Sequence, residues 1–269
     1  MRKLNFTKHF GLISLPAQKQ TLFTRKFSIS SPIIPSEMSI ELVVFDMAGT
    51  TVKDKNFVGI AFQEAMRSQG YEIAIENVNP LMGYEKPLAI KMMLEVRESD
   101  KSKITAELVD TIHTHFVNGM IGFYQTTTEI APLPHVEETF SALREQGIKI
   151  ALNTGFSRDI ADVIVSRLGW GNKIDCLVAS DEVPYGRPYP DMIRKIMTEL
   201  GIASAERIAK VGDTEVDINE GINAGCKYVI GVTTGAFTRE ELLPYKPTHI
   251  IDDIAEVPGI ISASHEMAV

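Results

Sequence analysis

An α/β fold is predicted: a parallel sheet of about five or six strands covered by helices on both faces, interrupted after its first strand by a helical insert. Short β-branched apolar runs alternate with helical patterns from residue 131 onward, as in βαβ units. One more such run, Ile40–Phe45, stands far upstream, and the roughly 75–80 residues between show helical periodicity with no comparable strand. The length of 269 residues suits one or two domains. A hydrophobic fraction of 44% and a net charge of −8 exclude a disordered chain. No apolar run approaches the ~18 residues of a membrane span, and an acidic chain without a basic stripe does not suit nucleic acid. A soluble protein without membrane or nucleic-acid partners is expected.

Residues 1–36 carry Arg2, Lys3, Lys8, Lys19, Arg25 and Lys26 and no acidic residue; the first is Glu37. Beyond Glu37, 21 basic side chains face 34 acidic ones, a balance of −13. Basic, acid-poor and hydroxyl-rich, residues 1–37 have the composition of an organelle transit peptide, with Arg25-Lys26-Phe27-Ser28 as processing region. A true start at Met38 and a disordered basic tail are the alternatives. The compartment is accordingly cytoplasmic, or a mitochondrial or other organellar matrix if the leader is a transit peptide.

Ile40–Phe45 is apolar along nearly its whole length, as a strand buried on both faces should be. Residues 57–70 space apolar side chains by three and four and end in Gly70; residues 87–98 open on Pro87; residues 104–124 form a long amphipathic pattern. Residues 53–130 are thus a helical insert, and 38–52 with 131–269 the sheet core. In that second part, strands are expected at 148–153, 176–180, 207–213, 227–232 and 249–253, and helices at 135–147, 157–168, 190–200 and 217–224.

Ligands of open parallel sheets bind beyond the carboxyl ends of the strands. Four strand ends carry unusual residues: Asp46; Thr154-Gly155; Gly186-Arg187-Pro188; and Gly212-Asp213, with Asp217 four residues on. Asp46 and Asp213 would repel one another without a cation between them, and hard oxygen ligands suit Mg²⁺. Arg187, Thr154 and the Gly155 amide would neutralise phosphoryl oxygens, and an Asp beside a phosphoryl group can attack it covalently.

Asp46-Met-Ala-Gly-Thr-Thr51, Thr154, Arg187 and Val211-Gly-Asp-Thr-Glu-Val-Asp217 resemble the four ordered motifs of the haloacid dehalogenase-like hydrolases. The resemblance implies a Rossmann-like core with a small α-helical cap over residues 40–269. It implies Asp46 as nucleophile and Mg²⁺ held by Asp46, the Ala48 carbonyl and Asp213. It further implies Thr50, Thr154, Gly155 and Arg187 on the phosphoryl group, and Asp217 supporting the metal site and the basic residue. Phosphatases of this superfamily usually carry an acid two residues after the nucleophile; here that position is Ala48, which cannot donate a proton.

Asp-x-Ala-Gly-Thr-Thr is similar instead to the phosphonoacetaldehyde hydrolases, or phosphonatases, which break a carbon–phosphorus bond through a cap lysine that forms a Schiff base. Met82-Gly83-Tyr84-Glu85-Lys86 matches their Met-Gly-x-x-Lys, and Gly155-Phe-Ser-Arg158 and Gly186-Arg-Pro-Tyr-Pro190 resemble the same branch. The match implies Lys86 as the amine and Met82 and Gly83 in the substrate loop. A desolvated lysine has the lowered pKa that role requires. Members commonly pair through their caps, which implies a homodimer. Two departures stand out: Pro87 directly follows Lys86, and Ala89 occupies the place of a proton-relaying histidine. Lys86 as a simple phosphate contact, phosphomonoester hydrolysis of a small phosphorylated metabolite, and a non-catalytic phospho-ligand binder on the same fold are the alternative readings.

Asp213, Glu215, Asp217 and Asn219 alternate like a calcium loop, but Ile218 stands where such a loop needs Gly. Cys176 and Cys226 fall in or beside buried elements and are expected to be inert thiols.

Overall fold

The structure, a computed structural model, describes residues 39–266. The basic leader lies outside them. Six parallel strands form one sheet: β1 (Leu42–Phe45), β2 (Lys149–Thr154), β3 (Cys176–Ala179), β4 (Ile208–Gly212), β5 (Tyr228–Val232) and β6 (His249–Ile251), in the order β3-β2-β1-β4-β5-β6. Between β1 and β2 lie α1 (Phe57–Arg67), the short α2 (Ile75–Val78), α3 (Lys86–Arg97) and α4 (Ala106–Thr126). The remaining helices are α5 (Val136–Glu145), α6 (Arg158–Leu168), α7 (Asp191–Leu200), α8 (Glu215–Ala224), α9 (Arg239–Leu242) and α10 (Val257–Glu266).

The strand alternation explains the layers. Val43 and Phe45, with Ile150, Leu152, Ala209 and Val211, bury against Phe140 and Leu143 of α5, Ile160 and Ile164 of α6, and Val257 and Ile261 of α10. Leu42 and Val44 point the other way, onto Met192, Ile193 and Ile196 of α7. Ile218 of α8 and Leu242 of α9 cover Val229 on their own small cluster. Both faces are apolar, so the strands read as nearly continuous hydrophobic runs.

The insert leaves and re-enters the core at one place. Val52 and Pro132 form an antiparallel bridge, the Lys53 amide donates to the Ala131 carbonyl at 3.0 Å, and the Leu133 amide donates to the Thr51 carbonyl at 3.0 Å. Phe62, Met66, Ile90, Met93, Ile112 and Phe116 join α1, α3 and α4 in an apolar interior continuous with the α5/α6 side of the core. The last carbonyls of α4 have no intrahelical partners. Arg167 of α6 supplies them, donating to the Tyr124 oxygen at 2.7 Å and to the Thr127 oxygen at 2.8 Å.

Every expected strand and helix exists, with ends moved by a few residues. Three short or terminal helices were not expected. In α10, Pro258 and Gly259 look like breakers, yet a proline costs nothing in a first helical turn, where its missing amide has no partner to lose. Among the described residues, no helix is long and apolar enough to cross a membrane.

Candidate active site

The sheet order does the first part of the assembly. β1 lies between β2 and β4, with Phe45 level with both Leu152 and Val211. Asp46, Thr154 and Asp213 therefore emerge side by side at the carboxyl edge, where the strand order reverses direction. A cavity of about 140 Å³ opens there, lined by Asp46, Ala48, Thr154, Gly155 and Asp213 from the core and by Asp54, Met82, Gly83 and Lys86 from the insert.

Beneath Asp46 lies a closed set of buried charges. Arg187 Nη2 stands 2.7 Å from Asp46 Oδ1, and Nη1 donates to Asp217 Oδ1. Lys210 Nζ meets Asp217 Oδ1 at 2.9 Å and Glu220 Oε2 at 3.2 Å, and donates to Asn153 Oδ1 at 2.7 Å. Asn153 Nδ2 in turn donates to both Glu220 oxygens, at 2.8 and 2.9 Å. All of these side chains are essentially inaccessible to water. Arg187 Nε and Nη2 have no aligned hydrogen-bond acceptor among the described residues, so the Asp46 contact is an ion pair by distance only. A buried guanidinium with two nitrogens that make no aligned hydrogen bond is suited to receive the oxygens of an anion.

The three carboxylates differ in how they are compensated. Ligand oxygens of Asp46, Asp213 and Asp217 lie within 4.8 Å of one another. Burial disfavours the Asp217 anion, but Arg187 and Lys210 outweigh it and hold that carboxyl below its ordinary range. Burial, then the neighbouring Asp46 and Asp217 charges, push Asp213 up to about 8. Burial also raises Asp46, with Arg187 pulling the other way. Asp213 is held by Thr50 Oγ1, donating to Oδ1 at 3.0 Å, and by the Ala236 amide, donating to Oδ2 at 2.7 Å. Two buried, under-compensated carboxylates flanking one cavity are a donor set that fits a hard divalent cation, and Asp217 is already engaged by its own cations. Gly49, at φ +89°, makes the turn past Asp213; a β-carbon there would stand 2.6 Å from Asp213 Oδ2.

The insert closes the cavity from above. The loop before α3 rests on the loop after β2: a β-carbon at Gly155 would stand 2.5 Å from the Tyr84 carbonyl oxygen and 2.8 Å from that of Gly83. Tyr84 Oη donates to Glu215 Oε1 at 2.7 Å. Lys86 opens α3, and Pro87 fits the first helical turn, which accounts for that departure from the family pattern. The Lys86 ammonium lies 5.4 Å from the Phe62 ring centre and 5.1 Å from that of Phe156, and donates to the Tyr84 carbonyl at 3.3 Å. Only 4% of the side chain is exposed. Burial first, then the Arg187 charge, lower its pKa to about 8.

Eight of the eleven residues singled out in the sequence line the cavity: Asp46, Ala48, Met82, Gly83, Lys86, Thr154, Gly155 and Asp213. Arg187 and Asp217 lie buried under Asp46, and the Thr50 hydroxyl turns to Asp213 instead of the cavity. Sequence reasoning passed over Lys210, Glu220, Asn153 and Asp54. A lysine inside the apolar strand Ile208-Ala-Lys-Val211 was a legible signal, since a charge there must be paired. Both cysteines are as expected, burial pushing each thiol up to about 12.

The family model for haloacid dehalogenase-like hydrolases matches residues 40–225. A phosphonoacetaldehyde hydrolase of Bacillus cereus (strain B4264) is 36% identical over 216 residues, covering 76% of this chain and 81% of the relative. One of Bacillus mycoides (strain KBAB4) is 34% identical over 236 residues, covering 82% and 87%. Among solved structures, a phosphonoacetaldehyde hydrolase-like protein from Oleispira antarctica superposes with a TM-score of 0.72 at 24% identity, over 86% of this chain and 94% of the other. A predicted phosphoglycolate phosphatase from Haemophilus somnus gives 0.69 at 22%, over 82% and 97%. At those identities the structures speak to the fold alone.

Proposed function

The chain belongs to the haloacid dehalogenase-like hydrolases, in their phosphonatase-like branch, and from that footing we propose that it cleaves the carbon–phosphorus bond of phosphonoacetaldehyde or a related small phosphonate. The observation that carries this reading is Lys86. Its amine is buried on the same cavity as Asp46, against two aromatic rings, with its pKa lowered to about 8. A residue meant only to hold phosphate gains nothing from losing its charge; an amine that must attack a carbonyl does.

Lys86 Nζ bonds to the aldehyde carbon, and loss of water leaves a protonated imine. An Asp46 oxygen then attacks phosphorus in line with the departing carbon. The phosphorus–carbon bond breaks and its electron pair moves toward the iminium nitrogen, giving an enamine. Protonation at carbon and hydrolysis release acetaldehyde and restore Lys86. Water hydrolyses the aspartyl phosphate, releasing phosphate and restoring Asp46. Because the imine receives the electrons, no acid is needed at Ala48 to protonate a leaving oxygen.

Thr154, the Gly155 amide and the open edge of Arg187 bind the phosphoryl oxygens, and Asp217 orients Arg187. Asp46, the Ala48 carbonyl and Asp213 would hold Mg²⁺, which when bound offsets the charge gathered around the phosphoryl group. Residues 53–130 act as a cap hinged at Val52 and Pro132, whose closure excludes water and brings Lys86 to the substrate. The test is borohydride reduction of the protein with phosphonoacetaldehyde. A reductive adduct on Lys86 is expected; no adduct, together with phosphate release from ordinary phosphate esters, overturns the reading in favour of a phosphatase.

A further inference from the structure

Imine formation needs a proton carrier: the ammonium must lose a proton before nitrogen attacks, and the carbinolamine oxygen must gain one to leave as water. One turn along its own helix, Lys86 finds none. The residues one turn on, Ala89 and Ile90, are apolar and fully buried. Resting on the reading of Lys86 above, we propose that Asp54 carries this proton, with the Tyr124 hydroxyl as its neighbour.

Asp54 lines the same cavity as Lys86, and of the carboxylates around it Asp54 alone stands outside the Asp46–Asp213 pair. The charges of Asp54 and Lys86 act on one another across the cavity they both line, and among the described residues the two make no direct ion pair. Asp54 is held rigidly. Its Oδ1 accepts from the Phe57 amide at 2.7 Å and the Val58 amide at 3.4 Å, the first amides of α1, while Oδ2 takes no part in either bond.

Tyr124, at the end of α4, supplies an independent observation. Its side chain is 1% exposed and its hydroxyl has no hydrogen-bond partner among the described residues. Burial and then the Asp54 charge keep that hydroxyl protonated. The Phe156 ring meets Tyr124 edge-on, with centres 6.3 Å apart, and its centre lies 5.1 Å from the Lys86 ammonium, so one ring touches both groups. An orphaned buried hydroxyl in the field of a carboxylate is a poor structural investment and a useful donor to a carboxylate that exchanges protons. Burial raises the Asp54 carboxyl while it lowers the Lys86 ammonium, which narrows the gap between them and favours transfer.

The step balances. Asp54 takes one proton from the Lys86 ammonium, and the freed nitrogen lone pair bonds to the aldehyde carbon. A second nitrogen proton moves to the resulting alkoxide. Asp54 then returns its proton to that hydroxyl, which leaves as water while the carbon–nitrogen double bond forms. The carboxylate ends as it began, and no oxidant or reductant is needed.

Asp54→Asn keeps an oxygen for the α1 amides but cannot carry the proton. With phosphonoacetaldehyde and borohydride under limiting time, it is expected to form the Lys86 adduct at least about tenfold more slowly than wild type. Asp54→Glu should recover part of that rate, and Tyr124→Phe should slow it about threefold. Thermal melting checks the fold of each. An Asn variant at the wild-type rate, or Asn and Glu equally slow, overturns the proposal and leaves the Lys86 reading standing. No adduct with wild-type protein overturns both. If neither Asp54 variant folds, Tyr124→Phe decides, a slowed rate upholding the proposal and an unchanged one overturning it.

Discussion

The floor of the cavity and its roof are built on opposite electrostatic plans. Below, Arg187, Asp217, Lys210 and Glu220 are all buried charges, each held by a partner of opposite sign. Above, Lys86 is buried with two aromatic rings and one carbonyl and, among the described residues, with no carboxylate in contact. Paired burial keeps groups ionised and fixed; unpaired burial drives a group toward its neutral form. On the reading proposed above, the floor holds an anion and the roof offers an amine.

The largest expected effects come from breaking the floor. Asp46→Asn should lower turnover by at least about 10³-fold while leaving the melting temperature close to wild type, since the reacting oxygen is lost but the shape is kept. Steady-state phosphate release and a melting curve check both halves; retained turnover would remove the nucleophile. Lys210→Met should act through stability. It leaves Asp217 and Glu220 buried without their shared cation, a loss of about 3–5 kcal/mol, readable by urea unfolding. A change under about 1 kcal/mol would mean that the pairing does not hold the floor together.

The sequence shows the two regions with unequal clarity, for a physical reason. Asp46, Thr154 and Asp213 are legible because a parallel sheet brings its strand ends to one edge whatever the loops do. Arg187 is legible by motif, but its place under Asp46 depends on the course of the loop after β3. The Thr50 hydroxyl looks like a phosphate ligand in the sequence, yet its local turn sends it to Asp213. Asp54 gives no sign at all in Val52-Lys-Asp-Lys55. Its place on the same cavity as Lys86, 32 positions away, exists only once the insert has packed onto the core.

The roof predicts a smaller effect with a definite sign. Lys86 has its pKa lowered from 10.5 to about 8, so between those values the unfolded chain binds a proton that the folded one does not. Stability from this group therefore rises with pH across about pH 8 to 10.5, and below pH 8 the buried charge is a constant cost of about 3 kcal/mol. Lys86→Met removes that cost. It should be more stable than wild type at pH 7, with the difference shrinking as pH rises through that window. A difference that stays flat across the window would mean that the lysine is not held in a desolvated site.

The smallest effect probes the seam between the two plans. Gly155 belongs to the core, but the atoms a methyl group would strike there are the backbone oxygens of Tyr84 and Gly83, which carry Lys86 into place. Backbone cannot swing aside as a side-chain tip can, so in Gly155→Ala the insert loop must retreat as a unit. The floor stays intact beneath it, and the melting temperature should change by only a few degrees. A displacement near 1 Å between amine and carbonyl costs far more in rate than in stability. Borohydride trapping at Lys86 should slow by about tenfold, with a matching rise in KM for phosphonoacetaldehyde. If trapping and KM both stay at wild-type values, the contact between Gly155 and the Tyr84 carbonyl is not part of the closed, reacting state. The cap would then have to deliver its lysine from another position.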